Sequence, residues 1–324
     1  MQSWDVEKIE ALLSPRRLQA FLRERGMTAR HGLGQNFLVS RHILERIVAT
    51  AAVQPGEDVL EIGPGFGFLT HFLLSAGARV RAYETDAALC DWLAGVFHGV
   101  PAFDLVRGDF LQADCSLYGA SMDGAGDGNR PEDVPQKKAA VAHARVIANL
   151  PYNITTPVFD RLFSLPAITE IIVMVQRQVA ERIVAKPATR EYGALTLFAG
   201  FHSESELLFH VSPGNFHPAP SVYSSVVRLR IRREKPLAGE AARLFFALGR
   251  AVFSSRRKVL RNSLRESPFC GLNGEQADRL LELAGILGGI RGEEMSMDEF
   301  VVMARAWESS GLPRPRVARE AERG

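Results

Sequence analysis

Between residues 59 and 175, short apolar runs alternate with helical segments, and the first run ends in a cluster of glycines. Val59-Leu60-Glu61-Ile62 has strand character and stops at Gly63-Pro64-Gly65-Phe66-Gly67. Leu69–Leu74 then reads as helix, Val80–Glu84 as a second strand and 87–97 as a second helix. Asp104-Leu105-Val106 and Arg145-Val146-Ile147-Ala148 are the third and fourth strands, and a helix near 156–164 leads to Ile171-Ile172-Val173-Met174-Val175. Strands separated by helices must be joined by crossovers, so they lie mostly parallel with helices on both faces. The expected fold class is α/β. Open sheets of this kind bind ligands beyond the carboxyl ends of their strands, and those ends are where chemistry should be sought.

The rest of the chain is organised differently. Residues 1–30 read as a charged amphipathic helix and an arm. Residues 42–52, 177–185 and 194–201 have helical periodicity. Residues 204–211 and 222–231 look like an antiparallel pair of strands, split by the Pro-rich turn 212–220. From about 238 onward the pattern is helical with basic punctuation. At 324 residues, two domains are expected: a larger one over 31–235, preceded by the 1–30 segment, and a small helical one over 236–310, with a frayed tail over 311–324. Residues 118–138 hold four glycines and two prolines and few large apolar side chains, the composition of a flexible insertion.

Several classes are excluded. No apolar run approaches the roughly 18 residues a membrane helix needs. The beginning, Met1-Gln2-Ser3-Trp4-Asp5, lacks the apolar core of a signal peptide. Cys90, Cys115 and Cys270 are widely spaced, which suits neither a disulfide framework nor a metal cluster. A reduced, cytoplasmic, monomeric protein without metal or membrane is expected. The net charge of +2 conceals an excess: residues 228–265 carry twelve Lys and Arg against Glu234 and Glu240 alone, a local +10. Such a segment suits a polyanion; a solvated helix face is the alternative.

The glycine loop follows a strand and opens a helix, where glycines let the backbone turn sharply and come close to a ligand. Glu84 ends the next strand, placed to accept from both hydroxyls of a ribose. Gly108-Asp109 ends the third, where a carboxylate can take an adenine amine. Each feature alone could be a turn or a cap; together, each at a strand end, they describe a nucleoside-like cofactor site. Glu61 ahead of the loop favours the cationic sulfonium of S-adenosylmethionine over the pyrophosphate of a dinucleotide, which wants a helix N-terminus free of negative charge.

The fourth strand ends in Asn149-Leu150-Pro151-Tyr152. An exocyclic amine on a base is a poor nucleophile because its lone pair is delocalised into the ring. Two acceptors holding its N–H groups, the Asn149 side-chain oxygen and the Leu150 carbonyl, can pyramidalise the nitrogen and aim the lone pair at a methyl group. Pro151 fixes the backbone and Tyr152 offers a stacking face. An Asn-capped turn over a buried Tyr is the alternative. Phe216, in the Pro-rich turn, is a second stacking candidate unless it is tucked into the core.

These residues resemble a known family, the small-subunit ribosomal RNA adenine dimethyltransferases. The resemblance runs from about Gly32 to Trp307 and rests on Gly34-Gln35-Asn36-Phe37-Leu38, Glu61–Gly65, Glu84, Gly108-Asp109 and Asn149–Pro157. It continues through Gln176-Arg177, Glu181-Arg182, Tyr192-Gly193, Phe216–Val222 and Arg256-Arg257-Lys258 with Arg261–Leu264. It implies a Rossmann-like class I methyltransferase sheet with a helical RNA-binding domain, and dimethylation of two adjacent adenines near the 3′ end of the small-subunit RNA, free or in the pre-30S particle. It further implies that Asn36 and Leu38 help close the cofactor pocket, that Gly63, Gly65, Glu84, Asp109 and Asn149 contact cofactor or target amine, and that Arg256, Arg257, Lys258 and Arg261 bind RNA. Leu33 stands where the family usually has an aromatic, and the 118–138 insertion is longer than expected. Rival readings are a large-subunit RNA methyltransferase of the antibiotic-resistance type, an assembly factor with reduced catalysis, and a nicotinamide-dependent oxidoreductase.

Overall fold

The structure, a computed structural model, describes residues 4–26, 35–118, 143–255 and 257–315. The arm around Leu33, nearly all of the expected insertion, Arg256 and the end of the tail lie outside these residues. The chain divides into two compact units: Met1–Ala180 with Glu206–Ile231, and Glu181–Ser205 with Arg232–Gly324. Residues 181–205, read from sequence as part of the larger domain, thus cluster with the C-terminal helices.

The first unit is built on a sheet. Its strands, with one partly contributed by the second unit, are β1 (Phe37–Leu38), β2 (Asp58–Ile62), β3 (Arg79–Glu84), β4 (Phe103–Arg107), β5 (Ala144–Asn149), β6 (Ile168–Gln176), β7 (Ser203–Val211), β8 (Phe216–His217) and β9 (Ser224–Ile231). Seven form one sheet in the order β4-β3-β2-β5-β6-β9-β7, while β1 and β8 pair separately. β4, β3, β2, β5 and β6 are parallel, and β9 runs antiparallel to β6. Ile171 through Val175 in β6 are each at most 1% exposed. Successive residues point to opposite faces of a strand, so this run requires both faces to be covered. The order reverses between β2 and β5, which makes their carboxyl ends the switch point where such sheets bind ligands.

The strands predicted at 204–211 and 222–231 are present as neighbours, and they extend the main sheet. β9 slots between β6 and β7. Arg228 and Arg230 on β9 pair with Glu170 on β6 and Glu206 on β7. The segment 1–30 holds two short helices, α1 (Val6–Ala11) and α2 (Pro15–Glu24). The break falls at Ser14-Pro15, because Pro suits a first helical turn and disfavours helix in the residue before it. The remaining helices of this unit are α3 (Arg41–Ala51), α4 (Phe68–Ser75), α5 (Ala87–Val96), α6 (Thr155–Phe163) and most of α7 (Arg177–Ile183).

The second unit comprises α8 (Ala194–His202), α9 (Gly239–Phe253), α10 (Leu260–Glu266), α11 (Gly274–Ala284) and α12 (Met297–Ser309). Leu244, Phe245, Leu248, Leu264, Phe300 and Trp307 form a core with no exposed surface. α11 and α12 begin with reciprocal caps, Asn273 with Gln276 and Ser296 with Glu299. The basic run was read as part of a helix, and here the structure differs. α9 stops at Phe253, where the Ser254 hydroxyl donates to the Ala251 carbonyl. Arg257 and Lys258 occupy the turn, Val259 bridges to Arg291, and α10 starts at Leu260. Paired serines offer the backbone local hydrogen bonds that compete with helix, which ends it before the basic residues.

Candidate active site

Parallel register brings the carboxyl ends of β2, β3, β4 and β5 to one edge of the sheet, and a cleft of about 110 Å³ lies along it. It is lined by Asn36, Leu38, Glu61, Gly63, Gly65, Glu84, Asp109 and Asn149 through Tyr152. Residues spread over 117 positions of sequence therefore meet in one place. Phe216 does not line the cleft: it is 3% exposed, packed in the hydrophobic core, and opposite Leu38 in the β1–β8 pair. The expected stacking face is thus covered. Apolar drive into the core outweighs the stiffness of the flanking prolines, which constrain the loop but not the direction of the ring.

The glycine loop is held from below. Gly63, Gly65 and Gly67 have φ of 68°, 60° and 78°, a left-handed region that costs non-glycine residues energy. A Cβ on Gly65 would lie 3.1 Å from the Phe37 ring, and one on Gly67 only 2.7 Å from Phe97. The loop therefore presents bare backbone to the cleft. Glu84 fastens it: one carboxylate oxygen accepts from Gly65 N–H at 3.1 Å, the other from Thr85 and Asp86 N–H at 2.9 and 3.0 Å. Burial pushes the Glu84 carboxyl up, and these three backbone donors oppose that shift. Glu84 is 6% exposed; it is a brace for the loop, a role its position in the sequence did not reveal. Asp109 is exposed at the rim, where it also caps the turn at Leu111.

Glu61 lies at the floor, 2% exposed, accepting from the Thr70 hydroxyl at 2.6 Å. Burial, reinforced by the charge of Glu84 and opposed by the Thr70 bond, pushes its carboxyl up to about 8. At neutral pH it is therefore mostly protonated in the free protein. A cationic cofactor favours the ionised form, so binding should release a proton. Affinity is then expected to rise roughly tenfold per pH unit from pH 6 toward 8 and level off above it. Folding stability moves oppositely, since raising pH from the ordinary carboxylate range toward 8 ionises the unfolded chain first. Calorimetric titration in buffers of different ionisation enthalpy reads the released proton. A pH-independent affinity in wild type would remove Glu61 from this role, and Glu61→Gln should flatten the slope.

At the end of β5, the Asn149 side-chain amide donates to the Asn36 carbonyl at 3.3 Å. This fixes the Asn149 side chain and leaves its Oδ1 as an acceptor. Leu150 N–H donates to the Met174 carbonyl at 3.1 Å, so the backbone before Pro151 is anchored to β6. The Tyr152 hydroxyl and Ser224 Oγ are 2.6 Å apart, and burial pushes the phenol up, keeping it neutral. The sequence reading missed Asp86 and Ser224. Asp86, a buried N-cap for α5 accepting from Ala88 and Leu89, had a signature in its position before an apolar helix. Ser224 had none, because its link to Tyr152 crosses 72 positions.

The RNA-binding candidates are placed in the second unit. Lys258 is ion-paired with Glu266, Arg261 is bidentate on Asp278, and Arg257 is exposed. Arg228, Arg230 and Arg232 spend their charge on Glu170, Glu206 and Glu204 in the strands. The local excess is thus not one continuous patch: its first residues lie at the end of β9, where facing acids neutralise them.

Comparison with known proteins agrees with this geometry. The family profile described as ribosomal RNA adenine dimethylase matches residues 26–294. Ribosomal RNA small subunit methyltransferase A of Geobacter metallireducens is 37% identical over 292 residues, covering 90% of this chain and 99% of that protein. Among solved structures, the 23S rRNA methyltransferase ErmE is similar at a TM-score of 0.60 and 26% identity, covering 84% of this chain and all of that one. A dimethyladenosine transferase from Plasmodium falciparum superposes at a TM-score of 0.65 with 20% identity, over 85% of this chain and 98% of that one, and supports the fold.

Proposed function

Because the chain belongs to the ribosomal RNA adenine dimethylase family, we propose that its cleft methylates the N6 amines of two adjacent adenines near the 3′ end of small-subunit ribosomal RNA. The chain is an S-adenosylmethionine-dependent enzyme that dimethylates adenine in small-subunit ribosomal RNA. The large-subunit alternative has the weaker likeness, 26% identity against 37%. No helix among the described residues is long and apolar enough to cross a membrane. A monomer acting in the cytoplasm on RNA or the pre-30S particle completes the reading.

The cleft fits the cofactor: a glycine loop at positive φ with the Cβ positions of Gly65 and Gly67 blocked, two buried acids at strand ends and an exposed Asp109 at the rim. When bound, S-adenosylmethionine supplies a methyl group on a cationic sulfur. Gly63 and Gly65 bring bare backbone close to it, Glu84 accepts from the ribose, Asp109 takes the adenine amine, and Asn36 and Leu38 border the entrance. The target adenine must leave its stack to reach this depth. Tyr152 supports its ring. Asn149 Oδ1 and the Leu150 carbonyl hold the two N6 protons, so that the nitrogen lone pair is turned out of conjugation. No strong base is required before attack, because the amine becomes acidic only as its new bond forms. The observation carrying this reading is the bond from Asn149 to the Asn36 carbonyl, which presets the acceptor before any substrate arrives. Methyl transfer from tritiated cofactor to undermethylated small subunits, large subunits and bare RNA tests it. Label on the small subunit or its RNA is expected, and preferential labelling of the large subunit would overturn it.

The exposed Arg257 and its neighbours Arg256 and Lys258 are assigned to RNA phosphates. Changing all three to Gln should weaken subunit binding and flatten its salt dependence by roughly one unit of slope per lost contact. Cofactor affinity should not change. An unmoved salt slope in a filter-binding series would make the cluster a solvated turn.

A further inference from the structure

A second cavity, of about 230 Å³, lies within the C-terminal unit, and the methyl-transfer chemistry makes no use of it. Ser254 and Ser255 after α9, Lys258, Ser263 and Glu266 around α10, and Phe269 beyond it line the space. Two observations mark it as a binding place. Ser263 is 2% exposed, and its hydroxyl has no hydrogen-bond partner among the described residues. A buried hydroxyl in that condition costs stability that a ligand can return. Phe269 keeps 37% of its surface exposed beside the cavity, with the Arg250 guanidinium 5.6 Å from its ring centroid. A ring left so open is a stacking platform.

The charges define what would fit. Lys258 and Arg265 both pair with Glu266 and hold its carboxyl below the usual range, so it is ionised and can only accept. A bare phosphate entering here would meet that carboxylate. An aromatic base with two adjacent N–H donors would complement it, and guanine has such an edge. Lys258 and the exposed Arg257 stand where the phosphates of a strand could pass.

We propose that this pocket receives one unpaired guanine of the RNA substrate, its ring against Phe269, its N1–H and N2–H edge on the Glu266 carboxylate and Ser263 Oγ as a further polar contact. The inference deepens the reading of the chain as an RNA methyltransferase and rests on it. It gives the enzyme a second base contact, on a unit other than the one holding the reacting adenine.

Fluorescence anisotropy on the full chain, with octauridylate and the same oligomer carrying one central guanosine, inosine or adenosine, tests it. Guanosine is expected to raise affinity roughly tenfold over uridine, since a two-bond base contact discriminates on that order. Inosine, lacking the 2-amino group, should lose most of the gain. Phe269→Ala and Glu266→Gln should abolish the difference between oligomers. Ser263→Ala should narrow it while the melting temperature holds or rises, because the change removes an unpaired buried hydroxyl. Equal binding of all four oligomers, or a guanine preference that survives Phe269→Ala, would overturn the proposal, as would inorganic phosphate competing as well as guanosine monophosphate. Wild type that methylates small-subunit RNA without guanine preference sinks this inference alone. Wild type that transfers no methyl to any ribosomal RNA sinks the functional reading instead.

Discussion

Asn149→Ala is expected to lower single-turnover methylation of undermethylated small subunits by roughly 100- to 1000-fold, the usual effect of removing one preorganised polar group at a site of developing charge. The side chain is already fixed by its bond to the Asn36 carbonyl, so little reorganisation is needed when the amine arrives. Its value lies in the transition state, where the nitrogen becomes positive, so turnover should fall far more than RNA binding. The side chain is only half-buried and tied to one carbonyl, so melting temperature should change little. Tyr152→Ala should instead harm both placement and rate, with stacking worth about 1–3 kcal/mol. It would also strand the Ser224 hydroxyl, which is fully buried. If Asn149→Ala kept near-normal turnover while binding fell, the route to the amine lone pair would be wrong.

Glu84→Ala should weaken S-adenosylmethionine binding by about 1.5–3 kcal/mol, roughly 10- to 100-fold, the range for hydrogen bonds to a charged group. A strand-end carboxylate without partners would carry little packing, and folding would hardly notice its loss. The structure alters that expectation. Three backbone N–H groups, of Gly65, Thr85 and Asp86, end on this carboxylate. Leaving them without an acceptor should cost about 1–3 kcal/mol of stability and loosen the glycine loop. Glu84→Gln keeps one acceptor oxygen and separates the two roles. It should recover part of the melting temperature but not full cofactor affinity. Calorimetry beside thermal unfolding makes the comparison, and an unchanged dissociation constant in the alanine variant would remove Glu84 from the site.

Local pattern made the sheet legible. β2, β3 and β5 sit where apolar runs bounded by glycine and polar turns place them, because burial on both faces leaves a signature in consecutive residues. The acids at their ends were legible for the same reason: once strands are parallel, their carboxyl ends share an edge. The glycine loop, Glu84 and Asp109 were therefore found from sequence as one constellation, and the resemblance to a family supplied the reaction.

What the sequence could not decide was anything fixed by partners far along the chain. The strand 224–231 was visible, but not that it would lie beside β6 with its arginines facing Glu170 and Glu206. Charge counts along the chain do not see cross-strand neutralisation, so the basic excess looked larger than the surface it makes. Phe216 was visible as an aromatic in a stiff loop, but its direction depended on the pairing of β1 with β8. The Glu84 carboxylate was visible as an acceptor, but not the three amides that already use it. Periodicity and strand ends are properties of neighbouring residues, and sequence by itself determined those. Side-chain direction, burial and protonation depend on residues brought close only by folding, and these the tertiary structure alone decided.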